Sequence, residues 1–308
     1  MSTPPEQHNS PPNHHAAAFK GMVFAFFGFF FFSCQDVLMS IDTHLYPSLQ
    51  LTWLNCVMVL ATLVTILLVR KGWRGLKVVL HTDHLKIHVI RGGFLAVGTV
   101  LVFIAIRDVP LPNFYTIIFI GPLLAVSLSG LFLKEPIGFA KMAALLTGFT
   151  GLIIALRPGT EGFNTHSIYV LIAACLFGAT ALLGRFLGRK DTALCLIFYP
   201  ITMLVVFFSI PVAIEFKPIA SEHIFQVLLT GVFTTLAFFC NAHGYKMAPI
   251  YLIAPCQFLQ FFWGTIAHAV INNKLPEREV VLGAICIILS NAMIIYLQYR
   301  QQKKETLV

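Results

Sequence analysis

The sequence predicts an all-α membrane protein: ten transmembrane helices arranged as two inverted five-helix repeats. Three observations carry that expectation. Hydrophobic residues make up 57% of the 308-residue chain and charged residues 11%, less than half of the roughly 25% charge usual in soluble domains. The charges fall between long apolar runs rather than within them, as hydrocarbon requires. Proline, glycine and basic residues recur where the runs end.

A helix needs about 20 mostly apolar residues to cross the hydrocarbon core. Windows of that kind centre near Phe30, Leu60, Thr99, Leu123, Gly148, Leu176, Val205, Phe233, Gln260 and Cys286. The first holds the run FAFFGFFFFSCQDVLMS and gives way near Asp42 and Tyr46-Pro47, and the second gives way to Arg70 and Lys71. The third opens after Lys86 with Arg91 near its start, and Val109-Pro110-Leu111-Pro112 separates it from the fourth. Lys134-Glu135-Pro136 separates the fourth from the fifth, which ends at Arg157-Pro158-Gly159. The sixth gives way to Arg185, Arg189 and Lys190, the seventh to Lys217-Pro218, and the eighth to Lys246. The ninth ends at Leu275-Pro276, and the tenth runs to Arg300. The connections are short and leave no room for a soluble domain. We expect a disordered cytoplasmic tail over 1–18, a first repeat over 19–157, a second over 165–299, and a cytoplasmic tail over 300–308.

An even number of spans puts both termini on one side. Placing them in the cytoplasm collects 16 of the 21 Lys and Arg residues there, as the positive-inside rule favours. The net charge of +8 therefore reports topology, and no nucleic-acid partner is expected. The seven cysteines all lie in apolar runs without CxxC spacing, so they read as small buried side chains rather than disulfides or metal ligands. His8, His14 and His15 read as part of the tail. No metal or cofactor is expected, and no GxSxG or paired acidic motif marks an enzyme.

An odd number of spans per half inverts the second half relative to the first, a device of transporters whose solute site lies at the interface of the halves. Polar groups at membrane depth are the candidates for such a site. On the ninth span Gln257, Gln260, Phe261, Gly264 and His268 share one face. Amides there offer donors and acceptors, and Tyr251 and Trp263 add rings. The alternative for the glutamines is interhelical hydrogen bonding. On the eighth span Thr230, Thr234, Ala237 and Asn241 form a stripe, from which Asn241 is the functional candidate. On the fourth, Gly121-Pro122 predicts a kink that either only starts and bends the helix or turns Tyr115 to a solute. On the first, Gly21, Ala25, Gly28, Phe32 and Gln35 share a face, with Asp36 one residue round. Asp36 lies about 22 Å from Gly21 along the helix, roughly three-quarters of the way across a core about 30 Å thick, where it either caps the external end of the helix or faces an outward-open vestibule. Arg91 and Glu135 are expected to fix topology or cap helices.

Arg91-Gly92, Val109-Pro110-Leu111-Pro112, IGPLLAVSLSGLFLKE (120–135) and GFTGLIIALRPG (148–159) resemble the first EamA repeat of the drug/metabolite transporter superfamily. DTALCLIFYP (191–200) and YKMAPIYLIAPCQFLQFFWG (245–264) resemble the second. Within it, Gln35-Asp36 and Ala254-Pro255-Cys256-Gln257-Phe258-Leu259-Gln260 are similar to the polar pair and the Ala-Pro segment of S-adenosylmethionine and riboflavin uptake carriers. Leu275 stands where that group usually has an acid, Ser40 where a lysine is common, and Gln257 and Gln260 where charged residues occur. The resemblance implies an inner-membrane carrier of a small organic metabolite working by alternating access, with uptake of S-adenosylmethionine or a nucleoside-like or flavin-like compound first. Its partners are that solute and the lipid bilayer, with proton coupling, metabolite exchange and facilitated diffusion all open. Export of amino acids or drugs is the alternative, and a membrane enzyme or scaffold a second.

Overall fold

The computed structural model describes residues 14–42, 45–105, 108–109, 111–135, 137–159, 164–271 and 278–306. The N-terminal residues up to Asn13, including His8, and Leu275-Pro276 lie outside the described residues. Among the described residues there are eleven α-helices. They are α1 (His14–Asp42), α2 (Ser48–Leu80), α3 (Leu85–Ala105), α4 (Leu111–Ile118), α5 (Ile120–Phe132), α6 (Phe139–Leu156), α7 (Thr165–Gly188), α8 (Ala193–Glu215), α9 (Ile224–Met247), α10 (Ile250–Ile271) and α11 (Arg278–Thr306). Helices α4 and α5 make one crossing, so ten crossings result, as the apolar windows require. The helix α1 takes in residues 14–18, and α11 extends through Thr306, so both ends of the helical body reach into segments assigned to the tails.

Local chemistry sets several helix ends. Pro47 precedes α2, and Asn164 accepts from the Ser167 amide at 3.2 Å while the Ser167 hydroxyl accepts from the Asn164 amide, a capping box that starts α7. The Thr192 hydroxyl accepts from the Cys195 amide to start α8. Gly72, at φ 58°, breaks α2 at the point where Arg70 and Lys71 end its apolar run. The fourth crossing breaks at Phe119, just before Gly121-Pro122; the proline has no N–H to give to the turn before it.

Lipid offers no hydrophobic gain for joining two apolar helices, so close packing of small residues has to do it. Gly21 of α1 lies against Met247 and Ala248, and Gly244 of α9 against Gly21 and Ala25. Gly121 of α5 and Gly178 of α7 face each other's backbone, and Gly151 of α6 meets Gly283 of α11 in the same way. Arg157 also pairs with Glu279, tying the end of α6 to the start of α11.

The packing pairs obey a two-fold rule. With α1 matched to α7, α2 to α8, α3 to α9, α4–α5 to α10 and α6 to α11, the major contacts between the halves come in mates. The α1–α9 contact is matched by α7–α3, α1–α10 by α7–α5, and α2–α9 by α8–α3; α2–α8, α5–α10 and α6–α11 are their own mates. Two five-helix repeats of opposite orientation meet in this arrangement.

Candidate functional site

A cavity of about 250 Å³ lies between the repeats, bounded by α1, α3, α4 and α5 from the first and by α7, α8, α9 and α10 from the second. The break in the fourth crossing forms part of its wall through Ile118, Gly121 and Pro122. Phe29, Phe32, Phe177 and Phe238 supply aromatic surface, and Arg91, Thr180, Asn241, Tyr245 and Gln257 supply the polar groups. Asn241 is 6% exposed; its Nδ2 donates to the Ala237 carbonyl at 3.1 Å, leaving Oδ1 buried with no partner among the described residues. The Thr180 hydroxyl is buried and unpartnered in the same sense. Gly28 keeps α1 close to Asn241, where a side chain would collide with the amide.

A second polar contact lies one helical turn further along α10. Gln260 Nε2 donates to Asp36 Oδ2 at 2.6 Å, joining α10 to α1. Asp36 is exposed and Gln260 half-buried, so the carboxylate sits at an open rim rather than in the closed wall. Gln257 and Gln260 are three residues apart on α10, which makes one strip from the cavity to that rim.

The other sequence-derived candidates are dispersed. Gln35 donates to Met39 Sδ at 3.2 Å on its own helix, so the bond between helices is made by Asp36 and not by its neighbour. Tyr115 is 38% exposed and packs against Phe114 and Phe119 at ring distances of 5.6 and 6.3 Å, outside the cavity lining. Trp263 packs edge-on to Phe26 and Phe30 at 6.1 and 5.4 Å, away from the cavity, with its Nε1 buried and unpartnered among the described residues. Tyr251 is buried with the Lys141 ammonium 3.8 Å from its ring centre. The side chain of His268 lies outside the described residues. Thr230 donates to Asn55 Oδ1 on α2 at 3.0 Å, so that part of the α9 stripe serves helix packing.

Two charged residues that the sequence placed at helix ends behave differently from each other. Glu135 is 5% exposed; its Oε1 accepts from Arg185 Nε at 2.8 Å and Arg189 Nη2 at 2.7 Å, and its Oε2 from the Ile250 amide at 3.0 Å. That carboxylate caps α10, where the helix dipole favours it. Arg91 is 8% exposed and belongs to the cavity wall, which sequence reasoning missed. The signal was its position six residues inside α3, followed by Gly92-Gly93, too deep for a residue that only marks the membrane edge.

Ten apolar crossings in two inverted halves, with a partly polar cavity between them, define a multi-pass membrane protein of the transporter class. The EamA-like transporter family model matches residues 19–157 and 165–296, and the chain belongs to that family. An S-adenosylmethionine uptake transporter of Rickettsia bellii (strain RML369-C) is 27% identical over 228 residues, spanning 73% of this chain and 78% of the relative. A riboflavin transporter of Vibrio cholerae serotype O1 is 26% identical over 233 residues, spanning 75% of this chain and 78% of the relative. A solved crystal structure at 18% identity superposes with a TM-score of 0.74 over 95% of this chain and 99% of its own, and shares the fold.

Proposed function

We propose that the protein carries a small organic metabolite across the cell's inner membrane by alternating access between its two repeats, without covalent change to the solute. Uptake of S-adenosylmethionine, or of a similar nucleoside-like or flavin-like compound, is the reading best supported. One observation carries it: the cavity between the repeats pairs four phenylalanine side chains with the amides of Asn241 and Gln257. Aromatic walls stack on a flat heteroaromatic ring while amides meet its ring nitrogens and exocyclic groups. The relatives named for S-adenosylmethionine and riboflavin uptake support the same class.

Both termini face the cytoplasm in this reading, in line with the concentration of Lys and Arg in the loops on that side. The test is uptake of radiolabelled S-adenosylmethionine and riboflavin into cells expressing the protein, set against efflux from preloaded cells. Accumulation above that of cells carrying an empty vector is expected for one of the two. Efflux without uptake overturns import in favour of export by the same fold. Neither movement with either solute overturns the substrate class.

A further inference from the structure

The guanidinium of Arg91 is held by neutral groups alone. Its Nε donates to the Thr180 carbonyl at 3.2 Å and its Nη1 to the Leu196 carbonyl at 2.8 Å. Those bonds use two of five N–H groups and neutralise no charge. Among the described residues no carboxylate lies within ion-pair distance of it. Glu135 is held by Arg185 and Arg189, and Asp191 accepts from the Thr82 hydroxyl and contacts His88 Nε2. Arginine does not give up its proton in a protein, so the cavity wall carries a positive charge with no counter-ion among the described residues.

The surroundings keep that charge at the cavity instead of covering it. Gly184 of α7 makes the slot: a side chain there would begin 3.2 Å from both Nε and Nη2. One turn away on the same helix, Thr180 departs from the habit of its neighbours. Thr99, Thr202, Thr234 and Thr235 each return the hydroxyl to the carbonyl four residues back. Thr180 lines the same cavity, and its buried hydroxyl is not so engaged and has no partner among the described residues. A free donor beside a fixed, forked cation is the arrangement that receives two oxygens of one anion.

We infer that Arg91 and Thr180 form a subsite for an oxyanion group of the solute, a carboxylate or a phosphate, with Gly184 as the residue that makes room for it. The inference rests on the reading of this cavity as the solute site and narrows the solute to one that carries such a group. The rest of the solute lies along the aromatic wall. The unpartnered Oδ1 of Asn241 accepts an N–H from it.

The experiment is a thermal-shift titration of the purified full-length protein with matched pairs that differ in the anionic group. The pairs are S-adenosylmethionine against its decarboxylated form, riboflavin 5′-phosphate against riboflavin, and phenylalanine against phenethylamine. In at least one pair the anionic member is expected to half-saturate at a concentration lower by about tenfold, the scale of one charge-assisted hydrogen bond. The first and second pairs separate carboxylate from phosphate. Arg91→Gln is expected to erase the preference, and Thr180→Val to reduce it severalfold. A preference confined to phenylalanine, with nucleosides and flavins inert, sinks the proposed substrate class and keeps the subsite. No anionic preference in any pair, or a preference that survives Arg91→Gln, overturns the subsite. Should Arg91→Gln fail to give a folded protein, Thr180→Val and Gly184→Ala decide, and an unchanged preference in both overturns it.

Discussion

Arg185 on α7 and Arg91 on α3 are buried to nearly the same degree, on helices packed against each other, and they are treated in opposite ways. Arg185 spends its donors on the Glu135 carboxylate and on the carbonyls of Tyr245 and Lys246 at the end of α9. It joins α5, α7, α9 and α10 through one shared anion. Arg91 donates to two peptide carbonyls and lines a cavity. A buried charge with its counter-ion in place acts as a joint of the structure. A buried charge whose counter-ion is missing is held ready for one brought from outside.

Breaking the joint has the largest expected effect. Glu135→Ala leaves Arg185 and Arg189 without their anion and the first turn of α10 without its cap, and removing one partner of a buried pair costs about 3–5 kcal/mol. Thermal melting of the purified protein and its yield in the membrane should both fall sharply; a melting temperature equal to that of the wild type would show that the network is not a tie. Arg91→Gln sharpens the contrast: two bonds from a charged donor to carbonyls are at stake, about 1.5–3 kcal/mol each, but no buried ion is left without its partner. Uptake by that variant should drop about tenfold or more at near-normal membrane level, whereas loss of the protein from the membrane would place Arg91 with Arg185 as a structural residue.

Asp36→Ala tests the exposed rim in the same way. It removes the acceptor of the 2.6 Å bond from Gln260, a bond to a charged group of the kind that contributes about 1.5–3 kcal/mol. Transport should fall by about tenfold while membrane insertion holds; normal uptake at a normal surface level would sink the role given to it. The smallest change is expected from Gln257→Leu, where a single intramembrane amide is worth about 0.6 kcal/mol on average. Stability should be almost untouched and the apparent affinity for solute should weaken, which a concentration series of uptake reads directly.

The crossings were legible in the sequence because a bilayer imposes a length and forbids stray charge, so Lys134-Glu135-Pro136 and Arg157-Pro158-Gly159 had to fall between helices. The kink at Gly121-Pro122 was legible for the same kind of reason, since proline removes a donor wherever it stands. Gln257 and Asn241 could be chosen as candidates because an amide at membrane depth needs a partner. What the sequence could not show is which face of one helix meets which face of another. Tyr115 and Trp263 have suitable chemistry and lie outside the cavity lining. Gln35 looked better aligned than Asp36, yet Asp36 makes the contact between α1 and α10. Arg91 was read as a residue of topology or capping because its place in the cavity wall depends on Gly184, 93 positions further along the chain, where the informative property is a missing side chain.

The two-fold pairing of helices has a consequence for how the protein is made. Its tightest packings all run between the halves: α1 with α9, α3 with α7, α6 with α11, and α2 with α8. Each half leaves its best contacts to the other, so the first five crossings have few packing partners among themselves. Assembly is a single late event, and a truncation after Gly159 should yield inserted helices without a bundle.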